Sequence, residues 1–185
     1  NSGFKSIREK IREKTAEKNM VAISMEKDVK GGTDFYMTDK KYIQNLSSEL
    51  HNEHGGELKE SPRLYSFDRQ SSKRVYRVNV LYRLPDLEAG DIIKWKNNYY
   101  KVNSISADKV TAESLTDRKK RPIKLSETEK IKDKDEYMEA IVTKTMPQVE
   151  VLHPKNYTST TLQNQPQEDK EKINVVELDD GLYAV

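Results

Sequence analysis

Cysteine is absent from this 185-residue chain, so the chain holds no disulfide, no thiolate zinc site and no cysteine nucleophile. Long apolar runs are absent too. No stretch approaches the length of a membrane span, and the opening N-S-G-F-K lacks the apolar core of a signal peptide. A soluble, cytoplasmic protein is therefore the default. The first residue is not Met, as in a fragment or a processed chain. An excess of one sign of charge is also missing: 33 Lys and Arg stand against 31 Asp and Glu, a net charge of +2. Any electrostatic footprint for nucleic acid must come from local clustering. Apolar residues are few, 34% against 35% charged, with mean hydropathy −0.93. This is below the usual share of a compact domain, so small cores, thin layers and at least one solvated loop are expected. The length suits one domain or two small ones.

Signatures of catalysis are missing as well. None of G-x-x-x-x-G-K-[ST], G-x-G-x-x-G, G-x-S-x-G and H-E-x-x-H occurs. His51 and His54 lie one helical turn apart beside Glu53 and could supply two metal ligands. No third ligand is marked nearby, and a solvated helix end is the preferred reading. His153, before Pro154, is a lone turn residue with no partner in sequence. Acidic residues interleave with lysines as on solvated faces, not as a carboxylate pair tuned for acid–base work. The chain is not expected to be an enzyme.

What is present reads as two regions of different periodicity. Residues 4–18 predict a charged helix with a narrow stripe of Phe4, Ile7 and Ile11, marginal alone and leaning on something else. N-M-V-A-I-S-M alternates like a strand, Gly31-Gly32 makes a turn, and Asp34 to Met37 a short strand. Thr38 or Asp39 then caps a helix with Tyr42, Ile43, Leu46 and Leu50 on one face, stopped by Gly55-Gly56. An irregular strand broken by Pro62 and the alternating K-R-V-Y-R-V-N-V-L-Y-R-L flank the turn D-R-Q-S-S as a hairpin. Residues 20–84 thus predict a small α/β sandwich, one helix over a mostly antiparallel sheet. After Pro85 and a short acidic spacer, period two prevails: an all-β meander of short strands suited to a small barrel. The segment L-Q-N-Q-P-Q-E-D-K-E-K has almost nothing to bury and reads as a mobile loop near 163–172.

Three basic clusters are candidate RNA contacts. Asp117 to Lys124 carries Arg118, Lys119, Lys120, Arg121 and Lys124 against Asp117 alone. A flexible basic loop can reach phosphates with little ordering cost; a merely solvated connection accounts for it equally well. The polar face of 73–83 offers Lys73, Arg74, Arg77 and Arg83. Lys94 and Lys96 flank Trp95, with Tyr99, Tyr100 and Lys101 following, a mixture that can stack bases. Trp95 shares a strand face with Ile93, however, which favours a core anchor.

Four motifs occur in order: G-G-T-D-F-Y-M-T (31–38), R-L-P-x-x-x-x-G-D-I-I (83–93), Q-V-E-V-L-H-P-K-N-Y (148–157) and V-V-E-L-D-D-G-L-Y-A-V (175–185). Together they resemble the large-ribosomal-subunit export adaptor family first named for nonsense-mediated mRNA decay, its archaeal members especially. His153 stands where that pattern has an acidic residue. The resemblance implies an N-terminal region with paired C-x-x-C zinc sites, then an α/β domain, then SH3-like and OB-like modules similar to the hypusine-bearing translation factor. With no cysteine, this chain looks like the C-terminal fragment, with zinc expected only in the missing N-terminal region and no cofactor here. No glycine-flanked lysine loop implies hypusine.

The expected organisation is an α+β protein: a linker helix (1–19), an α/β sandwich domain (20–85), an SH3-like module (86–126) and an OB-like module (127–185). The resemblance implies a monomeric, non-enzymatic factor that binds rRNA and ribosomal proteins on the tRNA-binding side of the large ribosomal subunit, in biogenesis, export or quality control. The alternative is a protein–protein adaptor acting in translation without direct RNA binding.

Overall fold

The computed structural model describes residues 2–29, 32–68, 73–168 and 170–185, with side chains described outside 2–4, 64–68 and 73–76. Gly31, the Arg69 to Ser72 part of the second turn, and the side chains of Phe4, Lys73 and Arg74 lie outside the described residues. The protein is α+β and mostly β, with two α-helices and several small antiparallel sheets among the described residues. It divides into two compact units, Asn1–Pro85 and Asp86–Val185.

In the first unit, α1 (Ser2–Ala16) contributes its apolar stripe to a small core. Ile7 is buried in a cluster with Leu46 and Leu50, and Ile11 packs against it. The charged positions are used as well: Lys10 pairs with Glu53, Lys14 with Glu49, and Arg8 and Arg12 converge on Glu26. The two guanidiniums hold Glu26 below the usual carboxylate range, with the Arg12 hydrogen bond the largest cause. A helix of this length is marginal in isolation, and these contacts are what hold it.

β1 (Ile23–Val29) and β2 (Gly32–Met37) form one antiparallel ribbon. α2 (Lys40–His54) starts where the Asp39 carboxylate accepts the Tyr42 N–H at 2.6 Å, satisfying one of the free amides of the first turn. It stops where the Gly55 N–H donates to the His51 carbonyl at 2.8 Å. Gly56 follows at φ 106°, and a Cβ there would lie 2.1 Å from the Arg83 carbonyl oxygen, so only glycine fits. β3 (Glu57–Asp68) and β4 (Lys73–Arg83) make a second, longer ribbon. Tyr82 and Leu84 join the α2 core. The Tyr82 hydroxyl lies 2.8 and 3.1 Å from the Gly55 and Leu50 carbonyls. The single sheet expected from periodicity is two separate ribbons. Each hairpin satisfies its own ladder locally, and helices, not a further strand, cover one face. Pro62 is tolerated because β3 has one strand neighbour.

The second unit holds two five-stranded sheets. β5 (Ile92–Trp95), β6 (Asn98–Ser106), β7 (Lys109–Ser114), β8 (Lys120–Lys124) and β9 (Glu129–Lys132) form the first, ordered β8-β7-β6-β5-β9, with a 3-10 turn at Leu125–Glu127. Its core is Ile93, Tyr100, Val102, Val110, Ala112 and Ile123 with Leu87. The second comprises β10 (Met138–Lys144), β11 (Glu150–Leu152), β12 (Ser159–Thr161), β13 (Lys172–Leu178) and β14 (Gly181–Ala184), ordered β12-β11-β10-β13-β14. A parallel bridge from Leu162 to Leu182 links the end of β12 to β14.

The two sheets share a third core, in which Ile92 and Tyr99 of the first, with Leu115 just past β7, meet Val176, Leu178 and Tyr183 of the second. Each fully buried aliphatic side chain of this kind is worth roughly 1.5–3 kcal/mol. Polar groups reinforce the seam. Asp91, only 2% exposed, accepts from the Glu88 and Lys134 amides at 2.7 and 3.0 Å and pairs with Lys130 at 3.0 Å. Desolvation pulls Lys130 down, but its bonds to Asp133 and Asp91 outweigh this and hold the ammonium above its usual range. Asn164 donates to the Leu115 and Ala184 carbonyls and accepts from the Ala184 amide. The segment read from sequence as having nothing to bury therefore buries Leu162 and Asn164. A polar side chain is cheap inside when backbone groups satisfy it.

Candidate nucleic-acid interface

The basic segment 117–124 is not a flexible loop. Lys120 to Lys124 is strand β8, paired along β7, because Arg121 and Ile123 alternate inward while Lys120, Pro122 and Lys124 face out. The turn before it is built by Asp117, which accepts the Lys119 amide at 3.1 Å and two bonds from Arg121 at 3.1 and 2.6 Å. The Arg121 bonds, followed by the amide, hold Asp117 far below the usual carboxylate range. Arg118 sits at φ 57° and donates to the Gln165 and Ala184 carbonyls at 2.9 and 3.2 Å. Burial lowers its guanidinium pKa against the opposing pull of Glu113. Arg118 and Arg121 are therefore committed to the fold, and Lys119, Lys120 and Lys124 are the exposed cations of this group.

Register adds a residue that sequence reasoning missed. Lys109, at the start of β7, stands directly opposite Lys124, and its other neighbour across the sheet is Ser106. All three are exposed. Like charges directly opposite each other destabilise a strand pair, and an anion held between them relieves that cost. The adjoining row, Ser104–Thr111–Pro122, is small and bears no charge. The signal was the A-D-K turn, which puts Lys109 at a strand start, but its partner depends on the β7–β8 register.

The remaining candidates scatter. Lys94 lies 5.5 Å from the Tyr99 ring centroid and opposite Glu129. Lys96, exposed at φ 47°, sits 4.4 Å over the Trp95 ring. Trp95 packs on the first core, meets Tyr100 edge-on at 5.8 Å and donates its indole N–H to Glu127 at 3.0 Å. It is an anchor at the rim of the core, flanked by Lys96 and, across Tyr100, by Arg121. In the first unit Arg77 is exposed on the face of β4 turned away from α2; the Arg74 side chain lies outside the described residues.

His51 and His54 are half-buried on the last turn of α2. Among the described residues no group of three His, Asp or Glu could hold a metal ion, and without cysteine the zinc sites implied by the resemblance have no ligands in this chain. His153 is buried and does have partners: its Nδ1 accepts the Lys155 amide at 3.2 Å, and its Nε2 lies 3.8 Å from Glu177 on β13. No described helix is long and apolar enough to cross a membrane.

These features define a small α+β protein that presents lysines and arginines on sheet faces, with local order supplied by ion pairs. Residues 2–84 match the sequence model for NMD3, second domain. That match covers the first unit almost end to end. No curated protein matches the chain.

Proposed function

We propose that the chain is a non-enzymatic binding factor for the large ribosomal subunit, touching rRNA and ribosomal proteins on the tRNA-binding side, in biogenesis or quality control. The observation that carries this reading is the match of residues 2–84 to NMD3, second domain. The second unit supports it. In local numbering its first sheet runs 4-3-2-1-5 with a 3-10 turn between the fourth and fifth strands, the order of an SH3-like barrel. This module takes in Glu129–Lys132, beyond the boundary at 126 drawn from sequence. The other sheet runs 3-2-1-4-5, and the parallel Leu162–Leu182 bridge joins the end of the third strand to the fifth, the connectivity of an OB-like barrel. A factor of this kind binds through shape and many weak phosphate contacts, without reading base edges. In this unit Lys109, Lys120 and Lys124 are the side chains that make them.

The test is co-sedimentation of the chain with purified large subunits across a salt series. K109E/K120E/K124E is expected to weaken binding by roughly ten-fold or more and to flatten the salt dependence by roughly 0.7–0.9 in slope for each phosphate no longer neutralised. Failure of the native chain to co-sediment at any salt overturns the proposal. A second reading, a protein-docking adaptor, is favoured by Met25, Val29 and Tyr36, which stand exposed together on the outer face of the β1–β2 ribbon. On that reading the triple lysine variant binds as the native chain does.

A further inference from the structure

The turn between β11 and β12 holds an aromatic ring away from the protein. Tyr157 is 73% exposed and sits at φ 57°, in the left-handed region where a bulky side chain is disfavoured. The turn is closed by its own hydrogen bonds. The His153 amide donates to the Thr158 carbonyl at 2.9 Å, and the Tyr157 amide to the His153 carbonyl at 2.8 Å. His153, itself buried, takes the Lys155 amide on Nδ1 at 3.2 Å. The Asn156 side-chain oxygen accepts both the Thr158 amide at 3.1 Å and its hydroxyl at 2.7 Å. The ring is thus presented by a preformed turn and loses little conformational freedom when it meets a partner.

Packing does not account for this residue. Glycine or asparagine adopts such a φ at less steric cost, and a ring this exposed returns little buried area. Its neighbours Lys155, Asn156, Thr158 and Ser159 are exposed and polar, so the ring stands on a polar turn rather than in the broad apolar patch that marks protein docking. Charge does not mark the turn either. Lys155 pairs with Glu177 at 2.5 Å, and Lys144 with Glu150 at 3.0 Å. Asp179 and Asp180 follow Glu177 into the next turn, which disfavours phosphate here. What the turn offers a ligand is one planar face. A face of that size suits a nucleobase, whose stacking needs neither an opposite charge nor a neighbouring apolar residue.

We infer that Tyr157 is a stacking site for an unpaired RNA base, carried by the second unit. The inference rests on the ribosome-binding reading for its choice of RNA. The contact differs in kind from the lysines of β7 and β8. Stacking takes hold of a ring face with little regard to base identity, and its strength does not come from counterion release. Nothing in the sequence sets Tyr157 apart from the other tyrosines. Its exposure and its φ come from the turn that His153 and Asn156 fold.

The experiment measures binding of the 185-residue chain to a short oligoadenylate, to an abasic strand of the same length and to a short RNA duplex, by fluorescence anisotropy across a salt series. Tyr157→Asn is expected to weaken oligoadenylate binding by roughly five-fold or more at every salt. The salt slope should stay unchanged, and binding of the abasic strand and the duplex should stay native. Tyr157→Phe, which keeps the ring, is expected to bind as the native chain does. The urea midpoint of Tyr157→Asn, followed by Trp95 fluorescence, is expected to hold or rise, because asparagine relieves the backbone. A lower midpoint would make the ring structural and overturns the inference. Equal binding of oligoadenylate by Tyr157→Asn and the native chain, or none by either, overturns it as well. So does a loss that extends equally to the abasic strand or the duplex. Co-sedimentation separates the site from the reading it rests on. If Tyr157→Asn loses large subunits but keeps oligoadenylate, the ring meets a protein, and the inference fails while the function stands. If the native chain does not bind large subunits, the function falls, and the anisotropy series still decides the site.

Discussion

The two units reach order by different means. Among the described residues, the buried apolar side chains of the first unit are Ile7, Leu46 and Leu50, while the second unit buries three connected clusters across two five-stranded sheets. The first unit compensates with ion pairs between α1 and its neighbours, at exposed positions, where each pair contributes little and is screened by salt. Two-stranded ribbons are themselves marginal without a packed face. A chain this charged can build one deep core, and it does so in the second unit; the first remains a thin layer with a broad charged surface.

The contrast is easy to break experimentally, because each unit has its own probe. Trp95, the only tryptophan, belongs to the second unit, and both α-helices belong to the first. The largest effect is expected from Asn164→Ala. It leaves the Leu115 carbonyl and the Ala184 amide buried without their partner, while Arg118 still serves the Ala184 carbonyl. The cost is about 3 kcal/mol, read as a lower urea midpoint in Trp95 fluorescence with the ellipticity transition unmoved. Ile7→Ala should remove about 2 kcal/mol from the first unit and fray α1, lowering ellipticity at unchanged Trp95 emission. An equal shift of both probes in either variant would show that the units do not differ in the way their cores suggest.

The smallest effect is a pH dependence. Burial pushes Tyr82 in the first unit and Tyr137 in the second up to about 12, with nearby acidic side chains adding to it. A phenol whose folded pKa exceeds its unfolded value near 10 contributes stability that is complete below pH 10 and is lost as pH rises toward 12. Urea midpoints measured between pH 9 and 12 should therefore fall for both probes. Tyr82→Phe is expected to abolish the fall in ellipticity alone, and Tyr137→Phe to lessen the fall in Trp95 emission alone, because burial also raises Tyr99 and Tyr183 in the second unit. Flat midpoints over that range would rule the burial effect out.

Much of the local structure was legible in the chain. Asp39 and Gly55-Gly56 mark α2 because capping is chemistry between near neighbours, and the alternation of 75–84 marks β4 for the same reason. The basic segment 117–124 was misread because its five cations mask a strand period that only Arg121 and Ile123 carry inward. His153 looked solitary because Glu177 is far away in sequence. Asn164 looked solvated because its partners, Leu115 just past β7 and Ala184 on β14, are far from it in sequence. Each miss involves a polar group whose satisfaction is non-local.

By itself the sequence determined what chemistry is excluded through the lack of cysteine, where α2 begins and ends, and that apolar residues are few enough to make small cores and thin layers. The tertiary structure alone decided which cations remain outward. A lysine or arginine is committed or exposed according to what stands opposite it across a ladder or a seam: Asp117 and the Ala184 carbonyl engage Arg121 and Arg118, while Lys109 faces Lys124. Those facing pairs are set by strand register, and a slip of β8 by one residue would send Arg121 and Lys124 to its other face.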